Sequence, residues 1–195
     1  MKAPRAAEIV ALHDRVLAQA DWSTAMPQAG DVWSNIERNH RCNCRLWTEE
    51  DQARRRDVPD EAIAANKRNI DGFNQQRNDA IERIDEALLA LLPASDDSAR
   101  LNSETAGAMV DRLSILALKV FHMRLQTERS DAGRDHLETS RARLARLAEQ
   151  RADLAGCFDA LIADCVAGRA RFKVYRQFKM YNDPAFNPYL YGAKR

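Results

Sequence analysis

Apolar residues recur every three or four positions along most of this chain, which is the period of an α-helix that buries one face. Five such stretches cover residues 2–20, 31–57, 59–92, about 103–130 and 134–167. Asp31 stands where a helix N-cap is expected, and Gly168 ends or bends the last stretch. No segment alternates with period two, so no sheet is expected. The pattern predicts an all-α, single-domain antiparallel bundle of about five helices.

The 195 residues suit one domain with a sizeable core. Turn-forming residues place loops at 21–30 and 94–100. We divide the single helical domain, 1–195, into an N-terminal helix and loop (1–30), a core bundle (31–170) and an aromatic, basic C-terminal segment (171–195).

Charge and composition exclude several classes of protein. The net charge is +1, with 45% hydrophobic and 30% charged residues, so the overall charge does not favour nucleic acid or an acidic membrane surface, and such a function would need a local patch. No apolar run is long enough to span a membrane, and the first residues lack a secretory apolar core. We therefore expect a cytoplasmic protein. The four cysteines have no zinc-site spacing, which favours reduced, structural thiols.

Polar side chains lie on the apolar faces of three predicted helices. On the second helix, the arc of Trp33 and Ile36 also holds His40, Asn43, Trp47, Asp51 and Arg54, with Glu50 at its margin. On the third, the arc of Ile63 and Leu88 holds Asn66 and Arg77, with Lys67, Asn74, Asn78 and Asp85 at its edge and Asp71 and Glu82 just beyond. The fourth carries Lys119 within an apolar run. Burying such groups is costly unless they are paired, so they form either a structural network or a ligand site.

The residue types favour an anionic ligand. Arginine and lysine bind phosphate or carboxylate, asparagine reads hydroxyls or bases, and Trp47 offers a stacking wall. The ligand-binding hypothesis uses His40, Asn43, Trp47, Arg54, Lys67, Asp71, Asn74, Arg77, Asn78 and Lys119. The candidate catalytic residues, which would orient cations, hold a metal or act as general base, are Glu50, Asp51, Glu82 and Asp85. Whether the protein is an enzyme stays open, and the alternative is a network that only fixes helix register.

Two pairs of acids resemble a known metal motif. Glu49 and Glu50 on one helix, with Glu82 and Asp85 on the next, resemble the acidic motifs of all-α nucleoside triphosphate pyrophosphohydrolases, in which carboxylates from two helices hold Mg²⁺. Position 53 is alanine where that pattern has a second acid. The resemblance implies an alternative function, a Mg²⁺-dependent nucleotide pyrophosphohydrolase; otherwise the cofactor is unknown.

The C-terminal segment collects all four tyrosines and three of the six phenylalanines: Phe172, Tyr175, Phe178, Tyr181, Phe186, Tyr189 and Tyr191. Basic residues are interleaved with them, a pattern that binds single-stranded nucleic acid or sugar rings. We favour a tail that wraps the bundle with its rings packed down as anchors, and such a tail could also cover the mouth of the pocket. An alternative function follows, a non-enzymatic adaptor that docks a glycosyltransferase through this segment.

Several longer motifs resemble an uncharacterised bacterial family, catalogued as domain of unknown function 4254. They are Asn43–Trp47, Glu50–Arg54, Ala62–Arg68, Ile70–Asp71, Asn74–Asp79, Ile81–Asp85, Lys119, Lys179–Pro184 and Asn187–Pro188. The resemblance implies a helical cytoplasmic protein encoded near glycosyltransferases for surface polysaccharide, and it supplies no catalytic residues. The leading hypothesis is therefore binding or processing of a nucleotide, nucleotide sugar or phosphosugar in bacterial surface glycan biosynthesis. A bundle of this size can also pair as a homodimer.

Overall fold

The computed structural model describes residues 2–19, 26–28, 30–180 and 183–192. The five long helices are α1 (Ala6–Leu17), α2 (Val32–Gln52), α3 (Asp60–Leu91), α4 (Ala106–Thr127) and α5 (Arg134–Val166). A short helix, α6 (Pro188–Tyr191), and the two-residue strands β1 (Arg100–Leu101) and β2 (Ala170–Arg171) complete the described elements. The prediction of an all-α bundle is confirmed. Most of the predicted loop 21–30 lies outside the described residues.

Local capping chemistry sets the helix starts. The Asp31 carboxylate accepts the Ser34 backbone N–H at 2.9 Å, as an N-cap does, and this bond lowers the pKa of Asp31. At α4 the cap is Thr105, whose hydroxyl accepts the Ala108 N–H at 3.1 Å. The helix therefore starts later than residues 102–103, where the sequence predicted it. The reason is tertiary, because the Asn102 N–H is engaged by the Arg171 carbonyl at 2.8 Å and holds the chain extended.

The end of α5 lies where the sequence predicted it, whereas α2 ends earlier than predicted. α2 stops at Gln52 rather than near residue 57, because the Arg54 and Arg55 N–H groups turn to the carbonyls of Asp51 and Gln52, three residues back, at 3.2 and 3.1 Å, and leave the α-helical pattern. α5 ends as predicted: Gly168 has φ of +71° and donates its N–H to the Cys165 carbonyl at 3.1 Å. That left-handed position suits glycine, which has no Cβ to clash.

Contacts between α3 and α4 show that they run antiparallel. Asp85 meets Gly107 at 2.6 Å, and Arg77 meets Asp111 at 3.8 Å, so residue numbers fall along α3 as they rise along α4. Three other pairs of helices are antiparallel by the same criterion. The contacts Ala6–Asp159 and Asp14–Arg151 relate α1 to α5, and the contacts Glu49–Asn66 and Arg45–Phe73 relate α2 to α3. For α4 and α5, the order of the residues that line the clefts between them shows the same arrangement. As α2 and α4 both oppose α3, they run in the same direction, and their polar residues meet level by level.

The core sits around α4, which packs against α1, α2, α3 and α5. Val110 and Leu113 of α4, Leu88 of α3 and Phe158 of α5 are all fully buried. Each such side chain contributes roughly 1.5–3 kcal/mol through burial. The nearly all-round apolar stretch of the fourth helix, Met109 to Leu125, predicts from the sequence that this helix is central, and its packing confirms the prediction.

A two-residue parallel ladder pairs Arg100 with Ala170 and Leu101 with Arg171. The expectation that the chain has no strand was wrong here, because two residues are too few to produce an alternating pattern. The ladder ties the chain that leaves α5 to the loop that enters α4.

The C-terminal segment follows this ladder without regular secondary structure over residues 172–179. Phe172 is buried and anchors it, but Tyr175, Phe178, Phe186 and Tyr189 are largely exposed. The prediction of packed-down rings is therefore right for Phe172 and wrong for these four. Tyr181 and the side chain of Tyr191 lie outside the described residues.

The four cysteines are free, and Cys42, Cys44 and Cys165 are buried. Burial raises the pKa of Cys42 to about 11 and that of Cys44 to about 12, so both stay protonated thiols at neutral pH. None of the described helices combines the length and apolarity that crossing a membrane requires.

Candidate functional site

A cavity of about 300 Å³ opens between α2, α3 and α4, and we call it the inter-helix cavity. Its polar lining comes from α2, the turn that follows it and α3: Asn43, Trp47, Glu50, Asp51, Arg54, Asn74 and Arg77. All seven were candidate site residues from the sequence. Leu46, Ile115 and Leu118 provide its apolar wall.

Helical spacing brings the α2 residues to this place. Asn43, Trp47 and Glu50 follow one another at intervals of four and three, so they form one stripe along α2, and Arg54 lies in the turn just beyond its end. At the solvent end of the stripe, Arg54 donates to Glu50 at 2.8 Å, an exposed pair that contributes little to stability.

Arg77 occupies the inner side of the cavity and lacks a good partner. Its Nε is buried and makes no hydrogen bond, and the nearest carboxylate oxygen, Asp111 Oδ1, lies 3.8 Å away. That oxygen already accepts the amide groups of Asn39 and Asn43, each at 2.9 Å. A separation of 3.8 Å is a charge contact rather than a hydrogen bond, so the guanidinium retains capacity for a further acceptor.

The asparagine amides in the cavity differ in what they can offer. Asn43 donates to both Asp111 and Ser114 at 2.9 Å, which leaves only its carbonyl oxygen for a ligand hydroxyl. The side-chain amide of Asn74 makes no hydrogen bond to any residue within the described ranges, so it can both donate to and accept from a ligand.

Behind the cavity, a buried chain of polar groups leads to two histidines. Ser114 shares a hydrogen bond of 2.7 Å with His40 Nδ1, and the His40 ring stacks on His13 with centroids 4.3 Å apart. Burial lowers the pKa of His40 to about 3 and lowers that of His13 well below its usual value, with the two rings' mutual repulsion adding to the effect on His13. Both rings are therefore neutral at pH 7. His40 lies in this network and does not line the cavity.

Trp47 forms a partition beside the cavity. Its ring stacks on His122 with centroids 4.3 Å apart and planes 5° from parallel. Partial burial lowers the pKa of His122, and the Asp51 charge opposes that shift. The stack fixes the orientation of the indole, which keeps the wall of the cavity rigid.

Four predicted ligand-binding residues besides His40 do not line the inter-helix cavity. Lys67 and Asp71 pair with each other at 2.6 Å on the outer side of α3. Asn78 is buried but absent from the lining. Lys119 is exposed on the α5 side of α4, so the interpretation that its apolar neighbours bury it was wrong.

Two predicted catalytic carboxylates are engaged elsewhere. Glu82 accepts the Arg176 guanidinium at 2.6 Å and the Gln177 N–H at 2.9 Å, so it holds the C-terminal segment. Asp85 is buried and accepts the Gly107 N–H at 2.6 Å, in the first turn of α4. The sequence grouped them with Glu50 and Asp51, and the structure separates the two pairs.

Burial governs the ionisation of Asp85. Desolvation raises its pKa to about 6, against the opposing effect of hydrogen bonds from Thr105 and Gly107 and with repulsion from Glu82 and Glu86 adding to the rise. This carboxyl therefore anchors the N-terminus of α4 and titrates just below neutral pH.

Residues 172–180, which we call the C-terminal strap, contact α3 through Arg176 and Gln177. Arg176 forms ion pairs with Glu82 and Glu86, and the strap continues from there toward the N-terminal end of α3. Three extended residues reach roughly 10 Å, which brings Lys179 close to the level of Arg77. Burial lowers the pKa of Lys179, and the Arg77 charge lowers it further, while Asp71 and Asp79 act in the opposite direction. The strap thus adds a cation near the cavity.

The acids of the predicted metal motif do not converge. Across the described ranges, no group of three or more His, Cys, Asp or Glu side chains is placed to hold a metal ion. Glu49 instead accepts the amides of Asn66 at 2.7 Å and Asn69 at 3.2 Å.

The sequence analysis missed Asp111, Ser114, His13 and Lys179 as parts of this region. The sequence does mark Asp111, because it is a charged residue on the apolar side of the fourth helix, which is the criterion that selected Lys119. Nothing in the spacing of Lys179 indicated that the strap would return to α3.

Fold and cavity together define this protein as an antiparallel all-α bundle with a polar cavity between its second, third and fourth helices. Residues 33–174 match the model of the family described as "Protein of unknown function (DUF4254)", and the chain belongs to that family. Searches of curated proteins and of solved structures found nothing that matches this chain.

Proposed function

We propose that this protein binds a small anionic ligand in the inter-helix cavity, as a cytoplasmic component of bacterial surface glycan synthesis. The ligand class is a nucleotide, nucleotide sugar or phosphosugar. The volume of about 300 Å³ stands at the low end of ligand pockets, which favours a phosphosugar or the sugar-phosphate part of a larger ligand.

One observation carries the proposal, the incomplete pairing of Arg77. A buried guanidinium nitrogen without a hydrogen bond is costly, and Asp111 at 3.8 Å does not satisfy it. The Arg77 side chain is 27% exposed and lines the cavity, so a phosphate oxygen there would accept from its terminal nitrogens, which make no hydrogen bond to any described residue. Arg54 at the mouth and Lys179 on the strap are the further cations that would face the same group.

The remaining lining has roles that fit a sugar. The Asn43 carbonyl and the Asn74 amide would read hydroxyls, and Trp47 would stack against a ring. Glu50 and Asp51 would orient the arginines or remove a proton if turnover occurs.

The test is isothermal titration of the full chain with glucose 1-phosphate, uridine monophosphate and UDP-glucose, each with and without Mg²⁺. Arg77→Gln should weaken binding roughly 10- to 150-fold, which is the effect of losing a charged hydrogen bond. Arg83→Gln, on the exposed side of the same helix, is the matched control and should bind as the unmodified protein does.

The outcomes separate the alternatives. No binding across the panel, or equal binding by Arg77→Gln, would reject the site. A folded Arg77→Leu variant with raised stability would favour a structural network. Binding that requires Mg²⁺ would favour the pyrophosphohydrolase alternative, with Glu50 and Asp51 near the cation.

A second candidate function rests on the exposed rings of the C-terminal segment. Phe178 is 85% exposed and Tyr189 is 89% exposed, and such rings favour a protein partner. In this alternative the protein is an adaptor of a glycosyltransferase. A Phe178→Ala, Tyr189→Ala double variant should lose the transferase in pull-down while keeping its small-molecule affinity, and retention of the transferase would contradict it.

A further inference from the structure

A second, larger cleft lies on the other side of Trp47, between α4 and α5. Its volume is about 590 Å³, in the middle of the range for small-molecule pockets. Trp47, His122, Met123 and Leu147 form its walls, and we call it the α4–α5 cleft. Met123 of α4 and Leu147 of α5 are half-buried on facing sides of a groove between two antiparallel helices, so an apolar group between them would be partly removed from water.

Cations surround this apolar groove. Lys119 comes from α4, while Arg143 and Arg146 come from positions three apart on α5, which places them on the same face. Asp51 is the carboxylate within the described lining, so positive charge predominates.

These cations are weakly engaged by the protein itself. Arg146 lies 3.7 Å from Glu149 at the exposed surface, a contact that water screens. Lys119 and Arg143 make no salt bridge or hydrogen bond to any residue that the structure describes. Their donors are therefore available to a ligand that reaches the rim.

We propose that the α4–α5 cleft binds a soluble amphiphilic phosphate, with its apolar chain in the groove and its phosphate on the rim cations. Two arginines and a lysine match a phosphate group through bidentate and point-charge contacts. The groove is an open concavity between two helices with a mostly apolar lining, which fits one chain laid along it rather than a flat membrane surface. This site lies on the other side of Trp47 from the inter-helix cavity, with Trp47 and Asp51 lining both, and it goes beyond the function proposed above.

The probes are alkyl phosphates used below their micelle concentration and titrated calorimetrically into the full chain. Octyl phosphate should bind at least tenfold more tightly than either inorganic phosphate or octanol, because inorganic phosphate lacks the apolar chain and octanol lacks the phosphate group. Affinity should rise about fourfold per methylene from hexyl to octyl phosphate, as expected for burial of the chain. Equal affinity for octyl phosphate and inorganic phosphate would overturn the proposal.

Variants locate the site and keep it distinct from the other cavity. Arg143→Ala and Lys119→Ala remove exposed side chains and should each weaken octyl phosphate binding about tenfold. Arg141→Ala, also exposed on α5, is the matched control and should leave binding unchanged. Unchanged binding in both Arg143→Ala and Lys119→Ala would overturn the assignment.

Arg77→Gln distinguishes the two proposals. If it abolishes glucose 1-phosphate binding and leaves octyl phosphate binding intact, the two sites are independent. If it also abolishes octyl phosphate binding, the amphiphile occupies the inter-helix cavity and the α4–α5 assignment is wrong. Binding only to anionic phospholipid vesicles, without binding to octyl phosphate, would likewise reject a soluble ligand.

Discussion

The carboxyl group of Asp85 offers a direct test of how burial and helix capping compete in this bundle. Its side chain is 2% exposed and accepts the Gly107 N–H at the start of α4. An ionised carboxylate is favoured there by the helix dipole, typically by 0.3–1 kcal/mol and at most about 2 kcal/mol. The pKa of about 6 nevertheless shows that desolvation outweighs the dipole and the hydrogen bonds.

The size of the effect follows from proton linkage. The pKa is 3.8 in the unfolded chain and about 6 in the folded one, so the folded state alone holds the proton between these values. The stability from the neutral carboxyl is complete below pH 3.8 and is lost as the pH rises through 6. Two units correspond to about 3 kcal/mol. Asp85→Asn keeps an oxygen acceptor for Gly107 and cannot ionise, so it should avoid this loss.

Urea unfolding of the two proteins, followed by circular dichroism at fixed ionic strength from pH 4 to 8, measures the difference. The free energy of unfolding of the unmodified protein should fall by about 2.5 kcal/mol relative to Asp85→Asn across this range, since a small part of the loss has already occurred at pH 4. Contributions from His13 and His40 cancel, since both proteins contain them. Asp85→Ala should show the same pH profile as Asp85→Asn, displaced downward by roughly 1–3 kcal/mol because the Gly107 N–H loses its acceptor. Parallel curves for the unmodified protein and Asp85→Asn would refute the reasoning.

Three further predictions test the packing around the site. Gly107→Ala should cost at least about 2 kcal/mol in urea unfolding, because its Cβ would lie 2.5 Å from a backbone carbonyl oxygen of α3. Gly72→Ala, which meets open space, should instead gain up to about 1 kcal/mol, so equal effects would contradict the close approach. His13→Phe removes two buried ring nitrogens without partners and should raise stability by roughly 1–3 kcal/mol at pH 7. Because the pKa of His13 is lowered in the folded state, the unmodified protein loses stability as the pH falls below 6.5. The melting temperature of the His13→Phe variant should therefore drop less between pH 7 and pH 5, and an equal drop in both proteins would contradict this explanation. Arg176→Ala should let chymotrypsin cleave the strap several-fold faster than in a Lys173→Ala control, and equal rates would show that the clamp does not hold it.

Most of the fold could be predicted because its signals are local. Asp31, Pro59 and Gly168 mark helix boundaries through chemistry that involves only their near neighbours. The start of α4 could not be predicted in this way. It depends on a ladder with residues 170–171, which are far away in sequence.

The sequence predicted which polar residues line the cavity but not which of the other candidate residues lie elsewhere. A helical wheel identifies the face of a residue but not its level along the axis or the element that covers it. Arg77 and Asp85 share the apolar side of α3, yet Arg77 reaches the cavity and Asp85 reaches the N-terminus of α4. Arg143 and Arg146 were not considered for a site, because exposed arginines on a long helix are usually solvated.

The contact between the first and fifth helices has a consequence for synthesis of the chain. The Ala6 N–H donates to Asp159, 153 residues later. At 5–20 residues per second, α1 leaves the ribosome roughly 10–30 s before this partner exists. During that interval Ile9 and Val16, which are buried in the finished protein, can be covered only by the helices made before α5. The nascent protein therefore keeps part of the apolar face of α1 exposed until α5 is made, and a chaperone that binds short apolar helices has a target there for that time.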